Sequence, residues 1–227
     1  MRCFDAHAHA GAPCPGEGRR VLCGTREADW GAALAAAGPG DFVMLGLHPW
    51  FVAEAAPGWE DRLRARLEAT GAGVGECGLD HARRDAARDA QRTAFRTQVR
   101  LAKALGRPLA LHAVAAWGDL LAVLEAEAPF PAGALVHGFS GSPEVAGRLQ
   151  RLGLFLSFGG ALLDPRRDRA VVALRAVAPD RRLLESDGAA DLEAVLAAAA
   201  AHLGLAPEDL ARQTWDNGLR CFGGRTA

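Results

Sequence analysis

The chain has 227 residues, 50% of them hydrophobic, and 26 Lys plus Arg against 27 Asp plus Glu for a formal charge of −1. That length suits one domain of α/β-barrel size, residues 1–227, with a substantial core. The charge balance excludes the global basic field of a non-specific nucleic-acid binder, so any contact with nucleic acid is expected to be local.

In chain order, short β-rich runs alternate with longer Ala/Leu/Arg segments at helical period, the pattern of βα units around a parallel sheet. The first strand, Arg2–Ala8, ends in Asp5-Ala6-His7-Ala8-His9. Alternate side chains of a strand share a face, so His7 and His9 are predicted to point one way and the two alanines the other. Gly11 to Gly18 holds three glycines and two prolines, which predicts a loop in place of the first crossover helix. Strand Arg20–Gly24, helix Arg26–Ala37 and strand Phe42–Leu47 lead to His48. Helix Trp59–Thr70 precedes strand Gly73–Glu76, and helix Asp85–Leu105 precedes strand Pro108–His112. Helix Ala115–Glu127, strand Ala134–His137, helix Pro143–Arg151, strand Leu154–Ser157, helix Pro165–Val177 and strand Arg182–Ser186 continue the alternation. Helix Leu192–Leu203 and a last helix from Pro207 toward Cys221 complete it. The most apolar stretch, Leu192–Ala206, is too short for a membrane span and reads as a buried helix face.

Eight strands with intervening helices predict a (β/α)8 TIM-like barrel, trimmed or distorted near strands 1 and 2. Metal-ligand residue types close several of the apolar runs: His7 and His9, Glu76, His112, His137 and Asp187. Imidazole and carboxylate suit zinc, manganese, iron or magnesium. A single histidine at a strand end is more often a hydrogen-bonded structural residue than a ligand. Here five of the 7 histidines (His7, His9, His48, His112, His137) end apolar runs, which chance placement rarely produces. His202 reads as a helix-face residue, and His81 as a loop residue near the site. In a barrel, residues at the carboxyl ends of strands 1, 4, 5, 6 and 8 converge over one mouth. The only lysine, Lys103, falls mid-helix. Strand alternation turns Cys77 away from the site. The five cysteines (Cys3, Cys14, Cys23, Cys77, Cys221) are odd in number and lack a C-x-x-C pair. That excludes a disulfide framework or zinc ribbon and suits a reducing cytoplasm, and the N-terminus shows no cleavable apolar leader.

The ordered set Asp5-Ala6-His7-Ala8-His9, Gly46-Leu47-His48-Pro49, Gly75-Glu76-Cys77-Gly78-Leu79-Asp80, Leu111-His112, His137-Gly138-Phe139-Ser140-Gly141-Ser142, Glu185-Ser186-Asp187 and Asn217 ahead of Phe222 resembles the TatD family of metal-dependent hydrolases. The resemblance implies two divalent metal ions (Mg, Mn or Zn): His7 and His9 on one, His112 and His137 on the second, Glu76 bridging, and Asp187 closing the first site. It also implies that His48 contacts a substrate phosphate. The mechanism expected is attack by a metal-bridging hydroxide, with Asp187 as base and Glu76 and His48 completing the catalytic set. Ser140-Gly141-Ser142 offers an anion nest or a helix N-cap, and Arg83 and Arg84 either track a nucleic-acid backbone or form a solvated helix entry.

The leading function is a phosphodiesterase or deoxyribonuclease acting on single-stranded or terminal DNA. The alternatives are a hydrolase of C–O or C–N bonds in a small ester, lactone, amide or aminoacyl adduct, and a non-enzymatic metal-binding scaffold. Fold alone does not choose among them. No membrane partner is expected, and the sequence is silent on oligomeric state.

Overall fold

A computed structural model describes residues 2–13, 17–83, 87–130 and 132–223. Its eight strands are β1 (Phe4–Ala8), β2 (Arg19–Gly24), β3 (Phe42–Leu45), β4 (Gly73–Asp80), β5 (Leu109–Val114), β6 (Ala134–Val136), β7 (Phe155–Phe158) and β8 (Arg182–Leu184). They pair in parallel, in sequence order. The helices are α1 (Glu27–Ala36), α2 (Trp59–Thr70), α3 (Arg88–Leu105), α4 (Trp117–Glu127), α5 (Pro143–Arg151), α6 (Asp168–Ala176), α7 (Leu192–Leu203) and α8 (Pro207–Phe222). This is the (β/α)8 architecture predicted from the alternation, and β1 passes to β2 with no helix among the described residues between them.

Two apolar layers hold the barrel. One cluster (Val21, Cys23, Met44, Ala110, Leu135, Leu183 and their neighbours) draws residues from β1, β2, β3, β5, β6, β7 and β8 and none from α1 to α7, which marks it as the barrel interior. Helix α8 closes its floor: the Phe4 and Phe222 rings stack at 6.1 Å, and Gly218 makes room, since a Cβ there would lie 2.5 Å from the Phe4 ring. The larger layer packs the outward faces of the strands, such as Leu109, Leu111 and Cys77, against the helices. Cys77 therefore packs, as alternation requires. No single helix among the described residues is long and apolar enough to cross a membrane.

Three departures from the expected elements bear on function. The β1–β2 register shifts between Asp5 and Ala8, so simple alternation fails: Ala6 joins the barrel interior while Ala8 packs with Ala12 and Leu22. Strand β4 continues past Glu76 to Asp80, with a register shift between Val74 and Cys77. A bulge of this kind re-aims a side chain within a strand, and Glu76 is the residue re-aimed. Finally, Pro49–Glu54 forms a 3-10 helix where no element was predicted, because three residues per turn over so short a run leave little periodic signal.

The ends of β3 and β4 are clamped from α3 by two buried glutamines. Gln98 accepts from the Leu47 N–H at 2.8 Å and donates to the Leu47 carbonyl at 3.0 Å. Gln91 does the same for Asp80, at 2.9 and 3.1 Å. Side-chain amides thus replace strand partners where the ladder ends, satisfying backbone groups that burial would otherwise penalise.

Candidate metal centre

Glu76 sits almost fully buried at the barrel mouth with imidazoles around both carboxylate oxygens. Oε2 faces His7 Nε2 at 3.2 Å and His9 Nε2 at 3.7 Å. Oε1 faces His137 Nε2 at 2.8 Å, His112 Nδ1 at 2.9 Å and His48 Nε2 at 3.1 Å. Asp187 completes the ring, its Oδ1 lying 3.5 Å from His9 Nε2 and 3.7 Å from His7 Nε2. All seven residues singled out in the sequence therefore converge, from β1, β4, β5 and the segments that follow β1, β3, β6 and β8. Asp187 reaches the mouth through a left-handed turn, φ 49°, a conformation aspartate tolerates better than most residues.

The outer contacts decide which nitrogen each histidine presents. His9 Nδ1–H donates to the Cys23 carbonyl at 3.1 Å, which leaves Nε2 as a lone pair toward Glu76 and Asp187. Nδ1 of His112 and Nε2 of His137 face Glu76, with the Asp80 carboxylate 3.5 Å from His112 Nε2 and Glu185 3.7 Å from His137 Nδ1, too far to hydrogen-bond either nitrogen. A carboxylate behind an imidazole is the usual support of a metal-binding histidine. His48 differs. Its Nδ1 accepts from the Trp50 N–H at 3.2 Å, so the neutral ring carries its proton on Nε2 and presents a donor rather than a lone pair.

Charge follows the same geometry. Burial alone would raise the Glu76 carboxyl, but the His137 and His7 imidazoles hold it well below the usual carboxylate range. Burial lowers His7, reinforced by His137, whose ring stacks on it at 3.9 Å. The Asp187 hydrogen bond raises His9, and burial lowers His48.

The residues fit divalent cations. His7 Nε2 is buried without a hydrogen-bond partner although it stands 3.2 Å from a carboxylate oxygen, a poor arrangement for a proton and a suitable one for a ligand lone pair. Among the described residues two sets of donors lie within 4.8 Å of one another, His7, His9 and Glu76, and His7, His137 and Asp187; His48, Glu76 and His112 form a third group in which His48 presents an N–H instead of a lone pair. Nitrogen and carboxylate oxygen donors of this kind suit zinc and manganese, with magnesium favouring the oxygens.

Other residues fall as follows. His81 turns to α4, 3.6 Å from Asp119, and stands apart from the centre. Lys103, in the last turn of α3 rather than mid-helix, donates to the Glu127 carbonyl. Ser142 caps α5, its hydroxyl accepting from Val145 N–H with Pro143 at the first helical position. Arg83 lies over the Trp50 ring, 5.3 Å from its centroid, and Arg84 lies outside the described residues. Sequence reasoning assigned no role to Asp5, Asp80 or Glu185. Asp5 binds the Ser186 N–H and hydroxyl at 2.9 and 2.6 Å, and Glu185 accepts from Gly138 N–H at 2.7 Å and from the Ser157 hydroxyl. All three stood inside quoted motifs, and carboxylates in apolar runs were the available signal.

Comparison with known proteins gives the family. The TatD related DNase family profile matches residues 4–223. The chain belongs to this family. A 3'-5' ssDNA/RNA exonuclease TatD from Cronobacter sakazakii is 35% identical over 186 residues, covering 78% of this family member and 69% of the relative. The corresponding exonuclease of Cronobacter turicensis is 34% identical, and the match spans 62% of its length. The metal-dependent hydrolase YcfH of Escherichia coli K12 is 30% identical over 72% of this chain and 67% of its own. In structure, the TatD homologue YJJV of Escherichia coli K12 superposes with a TM-score of 0.87 at 24% identity, over 97% of this chain and 98% of that one, which establishes the shared fold.

Proposed function

We propose that this chain is a metal-dependent phosphodiesterase that trims single-stranded DNA or RNA from an end, using two divalent cations. The observation that carries the reading is the division of histidines across Glu76: His7 and His9 at one oxygen, His112 and His137 at the other. A carboxylate with both oxygens so engaged suits a bridge between two ions, and Asp187 adds a carboxylate on the His7/His9 side. The relatives named as exonucleases support the substrate class.

Cations held by these residues would supply Lewis acidity to a phosphoryl oxygen and to water. The protein's own groups do the rest. Asp187, with half its side chain exposed, is placed to accept a proton at Oδ1. His48 offers Nε2–H to a non-bridging phosphate oxygen, the role its tautomer suits. A groove of about 800 Å³ leads away from Asp187 and Glu185 along Phe139 and Phe158 to Arg166, Arg167 and Arg169. It gives a flexible strand an apolar wall and, at its far end, arginine side chains within reach of a phosphate, two of them (Arg166 and Arg167) paired with Asp164.

The test compares end-labelled single-stranded DNA and RNA and blunt duplex DNA with a panel of lactones and amides, each with Mg²⁺ or Mn²⁺ and with chelator. Chelator-sensitive shortening of single strands ahead of duplex is expected. Chelator-sensitive hydrolysis of the panel with every nucleic acid untouched would move the assignment to C–O or C–N bonds.

A further inference from the structure

Trp50 is the large aromatic side chain left open at the rim of this centre, 45% exposed. Its ring centroid lies 4.9 Å from that of His48 and 6.4 Å from that of His112. Leaving an indole in water costs hydrophobic free energy, yet this one is held in place twice. Its backbone N–H donates to His48 Nδ1, and its indole Nε1–H donates to Asp80 Oδ2 at 2.6 Å. Asp80 in turn backs His112, so the indole is tied to the frame of the centre itself. Arg83 lies over the ring, 5.3 Å from its centroid, so a base would stack on the opposite, open face. A rigid, half-open aromatic surface with an adjacent guanidinium, a few ångströms from the proposed phosphate donor, is the combination that binds a base and its neighbouring phosphate.

We propose that Trp50 is the stacking platform for the nucleobase next to the scissile phosphate, with Arg83 serving the adjoining backbone phosphate. The inference rests on the phosphodiesterase reading and adds to it the residue that selects a base-bearing end. Because stacking uses a face that every base presents, the platform predicts tolerance of base identity together with discrimination against a missing base. Its pre-set orientation means little ordering is required on binding.

The experiment measures kcat/KM on single-stranded oligonucleotides ending either in a normal nucleotide or in an abasic one, for wild type, Trp50→Ala and Trp50→Phe. Wild type is expected to prefer the base-bearing end by about ten-fold, within the range alanine substitution gives for one base–aromatic stack. Trp50→Ala should abolish the preference. Trp50→Phe, which keeps a ring and loses the bond to Asp80, should retain most of it. A parallel arm measures fluorescence anisotropy of labelled oligothymidylate in chelator, where Trp50→Ala should weaken binding by a similar factor. Equal slowing on both ends by Trp50→Ala, or equal loss in the Phe and Ala variants, would overturn the proposal and assign Trp50 to support of Asp80 and His112. If wild type binds oligothymidylate through Trp50 but cleaves no nucleic acid, the platform stands and the phosphodiesterase reading falls. If it binds none, both fall.

Discussion

Replacing Asp5 probes how the barrel closes beneath the metal centre. The paired strands run from β1 to β8, and the seam between β8 and β1 is bridged by Asp187 N–H to the His7 carbonyl at 3.0 Å and by the Asp5 carboxylate on Ser186. Asp5 is 1% exposed, and burial raises its carboxyl from 3.8 to about 6 despite the Ser186 hydrogen bonds. Asp5→Ala leaves the Ser186 N–H and O–H without an acceptor; at roughly 1–3 kcal/mol for each buried orphan the loss is about 2–6 kcal/mol at pH 5. Asp5→Asn removes the titration and keeps one acceptor oxygen for the Ser186 N–H, its NH2 donating to the Ser186 hydroxyl in place of accepting from it. A carboxyl raised on folding contributes stability that is complete below its unfolded value and is lost as pH rises through its folded value. Wild type should therefore lose about 2–3 kcal/mol relative to Asp5→Asn between pH 4 and 7.5. Urea unfolding in chelator, across that range, measures the difference between the two proteins and cancels groups they share. A wild-type-minus-Asn difference that stays flat with pH would refute the argument that burial dominates at Asp5.

Three further outcomes are expected. Glu76→Ala should abolish turnover, while His48→Ala, which removes one charge-assisted hydrogen bond worth about 1.5–3 kcal/mol, should slow it without changing metal content; the reverse order in steady-state kinetics would make His48 the proton-transfer group. Reconstituted protein should hold near two divalent ions by elemental analysis and melt higher than the chelated form, by about 2.7 kcal/mol per site at free metal 100-fold above Kd; saturation at one ion would remove the bridged arrangement. Gly78→Ala places a Cβ 2.0 Å from the His112 carbonyl oxygen at a φ of +146°, so it should destabilise by about 2 kcal/mol or more and weaken metal uptake, checked by denaturation and metal titration.

The residues that meet at the mouth were legible because metal chemistry restricts residue type severely, and a parallel barrel brings the carboxyl ends of separate apolar runs together. His7, His112 and His137 could be picked out one strand at a time. The support for them could not. Gln91 and Gln98 look like ordinary residues of an amphipathic α3, and only the packed helix shows each amide closed on a strand end 11 or 51 residues away. Asp80, Asp5 and Glu185 stood in motifs, yet their partners (Trp50, Ser186, Ser157) come from other strands and loops.

Sequence alone determined the element alternation, the barrel, the order of the residues that meet at its mouth and the reading of Cys77, because periodicity and residue chemistry are local properties of the chain. Tertiary structure decided the rest. Alternation failed in β1 because a register shift, which depends on the neighbouring β2, sends Ala6 inward and Ala8 outward. The β4 irregularity aims Glu76 in the same way. Which nitrogen each histidine presents, and hence that His48 offers a proton where His9 offers a lone pair, depends on hydrogen bonds to Trp50 and Cys23. Those contacts are fixed by three-dimensional closure of the mouth and leave no periodic trace in the chain.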